Sequence, residues 1–159
     1  MSTVNVGISD LNIAFSPDVL ATYALGSCVG ICLYDADKKL AGLAHIMLPW
    51  SKDSANPSDN MMRYADTGIT ELISRMCAKG TSVSRLTAKI AGGAQMFATN
   101  SAVFDIGERN VEAVKKVLAA YKIPIIAEQT GSNFGRTVFF SSDTGIMEIR
   151  AATKETVRI

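Results

Sequence analysis

The feature that most restricts how this chain can fold lies between residues 27 and 48. Two apolar runs, SCVGICLYD (27–35) and KLAGLAHIML (39–48), flank a polar stretch from Asp35 to Lys39. The spacing predicts a β-hairpin, with Pro49 ending the second arm. Neither arm alternates apolar with polar, so both faces of the strand pair must be covered. A sheet covered on two sides needs two further layers, which the rest of the chain has to supply.

Residues 4 to 15 place Val4, Val6 and Ile8, then Leu11, Ile13 and Phe15, at every second position with a slip near Asp10. This predicts extended chain with a bend or bulge. Ser16-Pro17-Asp18 reads as a turn and Val19 to Tyr23 as a short strand. After a polar loop over 51–60, Asn60 is suited to cap a helix from Met61 to about Lys79. Met62, Ala65, Ile69, Leu72, Ile73 and Met76 form its stripe, and Gly80 stops it. Arg85 to Ala91 is a strand candidate, and Glu108 to about Tyr121 a second helix. Its inner face carries Val111, Val114, Val117, Leu118 and Tyr121. A strand follows over 123–130, then a hairpin of Thr137 to Ser141 and Ile146 to Ala151. Many strands with two helices give an α+β fold.

The 159 residues fit one domain spanning 1–159, and 48% hydrophobic with 19% charged residues is a globular composition. A net charge of +1 offers no global attraction for nucleic acid or an anionic membrane. The first residues, MSTVNVGISD, lack the basic and apolar regions of a secretory signal, and no apolar run predicts membrane insertion. Three cysteines cannot all pair with one another, so reduced thiols in a cytoplasmic setting are the expectation. With one histidine and no CxxC pair, neither a metal nor another cofactor is expected. Gly92-Gly93-Ala94 could approach a ligand, but neither GxGxxG nor GxxxxGK is present, which disfavours nucleotide binding.

The hairpin does suggest chemistry. A cysteine beside a histidine is the minimum for a thiol nucleophile, since the imidazole makes thiolate more available. With the turn centred on Ala36-Asp37, Cys28 falls directly opposite His45 on one face. A slip of one residue would separate them. Gly26, Ser27 and Gly30 surround the cysteine with small residues, and the amides of Cys28 and Val29 could serve a developing oxyanion. For the group that orients His45, spacing leaves Thr22, Tyr23, Ser27 and Asp35 all open. The plainer reading makes Cys28 and His45 core residues, as Cys32 and Cys77 are expected to be.

Six blocks, LGSCVGICLYD (25–35), AHIMLP (44–49), YADTGI (64–69), AKIAGGAQMF (88–97), IGERNVEAV (106–114) and TGSNFGR…DTG (130–145), together resemble the CheD family of bacterial and archaeal chemotaxis. The resemblance runs in order from about residue 5 to 150. It implies a protein-glutamine deamidase acting on chemoreceptor cytoplasmic helices, with Cys28 as nucleophile, His45 as base and Thr22 orienting the histidine. It also implies a β-sandwich flanked by helices, similar to the catalytic domains of glutamine-deamidating toxins. No cofactor is implied. A CheC-like phosphatase is an implied partner, and a non-catalytic adaptor binding that phosphatase or the receptors is the alternative. A general cysteine peptidase is disfavoured, because none of the local motifs of the common peptidase families occurs.

Overall fold

The apolar hairpin forms the middle of one of two facing sheets. In the computed structural model, which describes residues 1–56, 60–96 and 105–159, the strands are β1 (Thr3–Val6), β2 (Asp10–Phe15), β3 (Val19–Leu25), β4 (Val29–Asp35), β5 (Leu40–Ile46), β6 (Thr87–Gly92), β7 (Ile125–Thr130), β8 (Arg136–Ser141), β9 (Met147–Arg150) and β10 (Val157–Arg158). The helices are α1 (Ala65–Ala78) and α2 (Ile106–Ala120). One sheet has the order β1-β3-β8-β9-β10 and the other β2-β5-β4-β6-β7. The fold is therefore mixed α+β. Residues 57–59 of the polar loop and residue 97 of the AKIAGGAQMF block lie outside the described residues.

Three layers follow from which side chains share a core. Val29, Ile31 and Leu33 of β4, with Ala44 and Ile46 of β5, pack on Ile69, Leu72 and Met76 of α1 and Val114 and Leu118 of α2. The alternate residues Cys28, Cys32, Ala41 and Leu43 face the other way. They meet Leu20, Leu25, Val138 and Phe140 of the second sheet. Thus β4 and β5 are covered on both faces, and β5 is buried along its whole length. Burying a Leu- or Ile-sized side chain contributes about 1.5–3 kcal/mol, so this pair is the most heavily stabilised strip of the fold. Cys28 and His45 sit at one end of it.

Three expectations are corrected. The slip near Asp10 is neither a bulge nor a bend within one strand. It is a change of sheet: β1 pairs in parallel with β3, and β2 pairs antiparallel with β5. The chain from Met61 does not begin as an α-helix. Asn60 accepts from the Met62 N–H to cap a 3-10 turn (Met61–Arg63), Tyr64 is extended, and α1 starts at Ala65. The hairpin register also differs. Asp35 pairs with Leu40 and Gly30 with His45, so the turn is centred one residue later than Ala36-Asp37. The Asp35 carboxylate accepts the N–H groups of Asp37 (3.1 Å) and Lys38 (3.3 Å), which sets that later turn.

Candidate active site

Moving the turn by one residue moves every cross-strand partner by two. Cys28 is therefore diagonal to His45, not opposite it, but a shift of two keeps both on the same face. That face looks into the space between the sheets, where Cys28 joins the inter-sheet core. Gly30 stands directly opposite His45. A Cβ at Gly30 would lie 3.2 Å from Leu25 Cδ1 and 3.8 Å from Thr22 Cγ2. The missing side chain lets Leu25 and Thr22 of the facing sheet come close to β4 here.

His45 reaches across that space to the other sheet. Thr22 on β3 is fully buried and sits beside Val6 of β1. Its hydroxyl donates to the Val6 carbonyl at 2.7 Å. A carbonyl oxygen only accepts, and a hydroxyl has one proton to give. Thr22 Oγ1 therefore accepts at its other contact, 2.7 Å from His45 Nδ1. The proton of the neutral ring is thus on Nδ1, and Nε2 keeps its lone pair. Nε2 is buried and has no hydrogen-bond partner among the described residues. Immediately after Thr22 the register of β3 against β8 shifts, and Ala24 takes a left-handed φ of 60°. Bulges and strained residues of this kind concentrate at functional sites.

Both groups are neutral near pH 7. Burial lowers the imidazole from its usual 6.5 to about 4. Burial pushes the Cys28 thiol up, and its own backbone N–H, which lies against the sulfur, opposes this only in part. The pair at rest is a thiol and a free base. Cys28 is 9% exposed, at the margin of the core, whereas Cys32 is fully enclosed and pushed far up by burial. Of these two cysteines only Cys28 keeps any exposure.

The loop after β6 grips the cysteine from the side. The Gly93 N–H donates to the Cys28 carbonyl at 2.8 Å, and the Ala94 N–H to the Gly26 carbonyl at 2.9 Å. Gly92 has φ of +111°, and a Cβ there would stand 2.3 Å from the Cys28 oxygen. A Cβ on Gly93 would stand 2.2 Å from Val111 Cγ2 of α2. A cleft of about 500 Å³, lined by Gly93, Gln95, Glu108, Val111, Thr130 and Ser132 among others, lies beyond this loop without reaching Cys28.

The residues singled out from sequence divide as follows. Thr22 and His45 are in contact, and Cys28 shares their inter-sheet space. Gly26 and Ser27 form the approach to β4. Val29 lies inside the ladder, opposite Ile46 and Gly92. Tyr23 is exposed against Phe139. Asp35 is at the far end of the hairpin with Thr81 and Arg85. Two contributors escaped the sequence reading, the Val6 carbonyl and Asn110 of α2. Asn110 falls three residues after Gly107 and four before Val114, on the buried stripe, so its spacing was a usable signal.

Comparison with known proteins gives this geometry a family. The family model described as CheD chemotactic sensory transduction matches residues 47–151, beginning just after His45. A probable chemoreceptor glutamine deamidase CheD of Clostridium novyi is 52% identical over 92% of this chain and 91% of its own length. One from Lachnoclostridium phytofermentans is 46% identical over 98% of each chain, a span that takes in the segment holding Thr22, Cys28 and His45. The chemoreceptor glutamine deamidase CheD of Halalkalibacterium halodurans is 49% identical over 92% of each. Among solved structures, the Bacillus licheniformis hypothetical protein YfiH superposes with a TM-score of 0.44 at 17% identity, over 70% of this chain and 46% of that one. No helix in the described residues is long and apolar enough to cross a membrane. On the family match and these relatives, the chain belongs to the CheD family.

Proposed function

We propose that this chain is a chemoreceptor glutamine deamidase in which Cys28, His45 and Thr22 carry the chemistry, within one domain over 1–159. The observation that carries the reading is the chain of contacts Val6 C=O, Thr22 hydroxyl, His45 Nδ1–H, which leaves a buried free Nε2 in the space shared with Cys28. A base held in one tautomer by a partner on its other nitrogen is what thiol activation requires.

The reaction runs in two halves. Nε2 of His45 takes the thiol proton as the sulfur bonds to the side-chain carboxamide carbon of a glutamine. The Cys28 N–H donates to the oxyanion of the tetrahedral intermediate. The proton on Nε2 passes to the nitrogen, the C–N bond breaks, and ammonia leaves a thioester. Water, giving a proton to Nε2, then attacks the thioester carbon. The C–S bond breaks, the proton returns to sulfur, and the product is glutamate. Every proton is shuttled through one nitrogen, so the residues present balance the reaction.

The exposed side chains of Met47 and Met96 flank this margin, Met96 lying over Gly26. Flexible thioethers suit an amphipathic receptor helix laid across a shallow site. A cytoplasmic location follows from that substrate. Docking to a CheC-like phosphatase and kinship with glutamine-deamidating toxin domains rest on the resemblance in sequence.

The test is mass spectrometry of receptor cytoplasmic fragments incubated with wild-type protein and with Cys28→Ala. Wild type should convert particular glutamines to glutamate and the variant none. Equal conversion by both removes the mechanism.

A further inference from the structure

Helix α2 presents one polar side chain to the site that the chemistry above does not use. Asn110 is fully buried. Its Nδ2 donates to the Ser27 carbonyl at 3.0 Å and to the Met47 carbonyl at 2.8 Å. Both acceptors are carbonyls, so the orientation of the amide is fixed, and both Nδ2 protons are used. Oδ1 is buried with no partner among the described residues. Asparagine is a weak helix former, and an unpaired buried oxygen is unfavourable. Packing alone would favour an apolar residue here, beside Ala113 and Val114. The two carbonyls are what the side chain answers.

Their positions matter. The β4–β5 ladder ends at the pair Val29–Ile46. Ser27 and Met47 lie just beyond it, one residue before the nucleophile and two after the base. Asn110 therefore ties together the strand ends where the ladder stops. Three successive carbonyls are then held: Gly26 by the Ala94 N–H, Ser27 by Asn110 and Cys28 by the Gly93 N–H. Close packing makes this possible, since a Cβ on Gly107, one turn before Asn110, would stand 2.4 Å from the Ala94 oxygen.

In a trans peptide the carbonyl of one residue and the N–H of the next point in opposite directions. Holding the Ser27 carbonyl against α2 turns the Cys28 N–H the other way. We infer that Asn110 is a positioning residue of the deamidation, fixing the plane of the Ser27–Cys28 peptide so that the Cys28 N–H meets the developing oxyanion.

The inference rests on the deamidase reading, and the test separates the two. Deamidation kinetics on a receptor fragment are measured for wild type, Cys28→Ala, Asn110→Ala and Asn110→Ser, beside the rate at which iodoacetamide alkylates Cys28. Alkylation needs the sulfur but forms no oxyanion. In folded Asn110→Ala, kcat should fall about 100-fold, while KM and the alkylation rate stay within about threefold of wild type. Asn110→Ser, which keeps one donor, should recover part of the loss, and it carries the same comparison should the alanine variant not fold. Unchanged kcat in a folded variant, or kcat and alkylation falling in parallel, overturns the role of Asn110. Conversion that persists in Cys28→Ala, or is absent in wild type, instead overturns the deamidase reading.

Discussion

Lowering the pH from 7 towards 4 should weaken this fold through His45. The imidazole is fully buried and titrates near 4 when folded, against 6.5 when free. Between those values the unfolded chain binds a proton that the folded chain refuses. Stability from this group is therefore whole above about pH 6.5 and is lost as the pH falls to about 4, below which the loss levels off. At 1.36 kcal/mol per pH unit, the interval amounts to about 3 kcal/mol. That is a large share of the roughly 5–15 kcal/mol holding a domain of this size. Carboxylates titrate over part of the same range, so the comparison is with His45→Gln, which keeps them and removes the imidazole. Urea denaturation of both proteins at steps from pH 7 to 4 gives the difference directly. Wild type should lose about 3 kcal/mol more than the variant across the series. Because His45 is the only histidine, its ring signals in NMR are unambiguous and should show a midpoint near 4. Parallel pH profiles for the two proteins, or a midpoint at the ordinary 6.5, would refute the burial argument.

Other substitutions follow from the same geometry. Thr22→Val leaves the Val6 carbonyl and the Nδ1–H unpaired inside the core, which should cost about 2–3 kcal/mol in urea denaturation. It should also lower kcat about 100-fold, with Thr22→Ser close to wild type; an unaffected valine variant would remove Thr22 from the account. Gly92→Ala forces a Cβ against the Cys28 oxygen at a left-handed φ and should destabilise by about 2–3 kcal/mol. Gly7→Ala, with nothing near its Cβ, serves as the control and should be close to neutral by thermal melting. Peptide mapping after brief iodoacetamide treatment should find Cys28 modified before Cys77, although Cys77 is the more exposed, and more slowly in His45→Gln. Modification of Cys77 first would argue that nothing activates Cys28.

Much of this arrangement was legible because β4 and β5 are apolar on both faces, a pattern that only a doubly covered strand pair satisfies. The stripes of α1 and α2 were readable for the same reason, burial at helical spacing. What local pattern could not show was which neighbours pair. The slip at Asp10 looks alike whether a strand bulges or leaves for another sheet, since that choice depends on β3 and β5. The hairpin register was displaced by the Asp35 carboxylate, which captures two amides of the turn. The face survived only because the displacement is an even number of residues. At the site, the likeness of six sequence blocks to a family pointed to Thr22, Cys28 and His45. It could not reveal that the Val6 carbonyl settles the tautomer, because a backbone oxygen leaves no mark in the residue pattern. Nor could it show that Gly92 is small for the sake of the Cys28 backbone, and Gly93 for the approach of Val111 and Gly107 on α2.

A covalent bond between the Cys28 sulfur and the substrate, made with neutral His45 as base, is what the mechanism requires. Acid quenching in the first turnovers, followed by intact-protein and peptide mass spectrometry, tests it most directly. A receptor fragment should be found attached to Cys28 through a thioester, lighter than the sum of the two by one ammonia, and scarce in His45→Gln. Glutamate formed without any such adduct, or an adduct on Cys32 or Cys77, would contradict it.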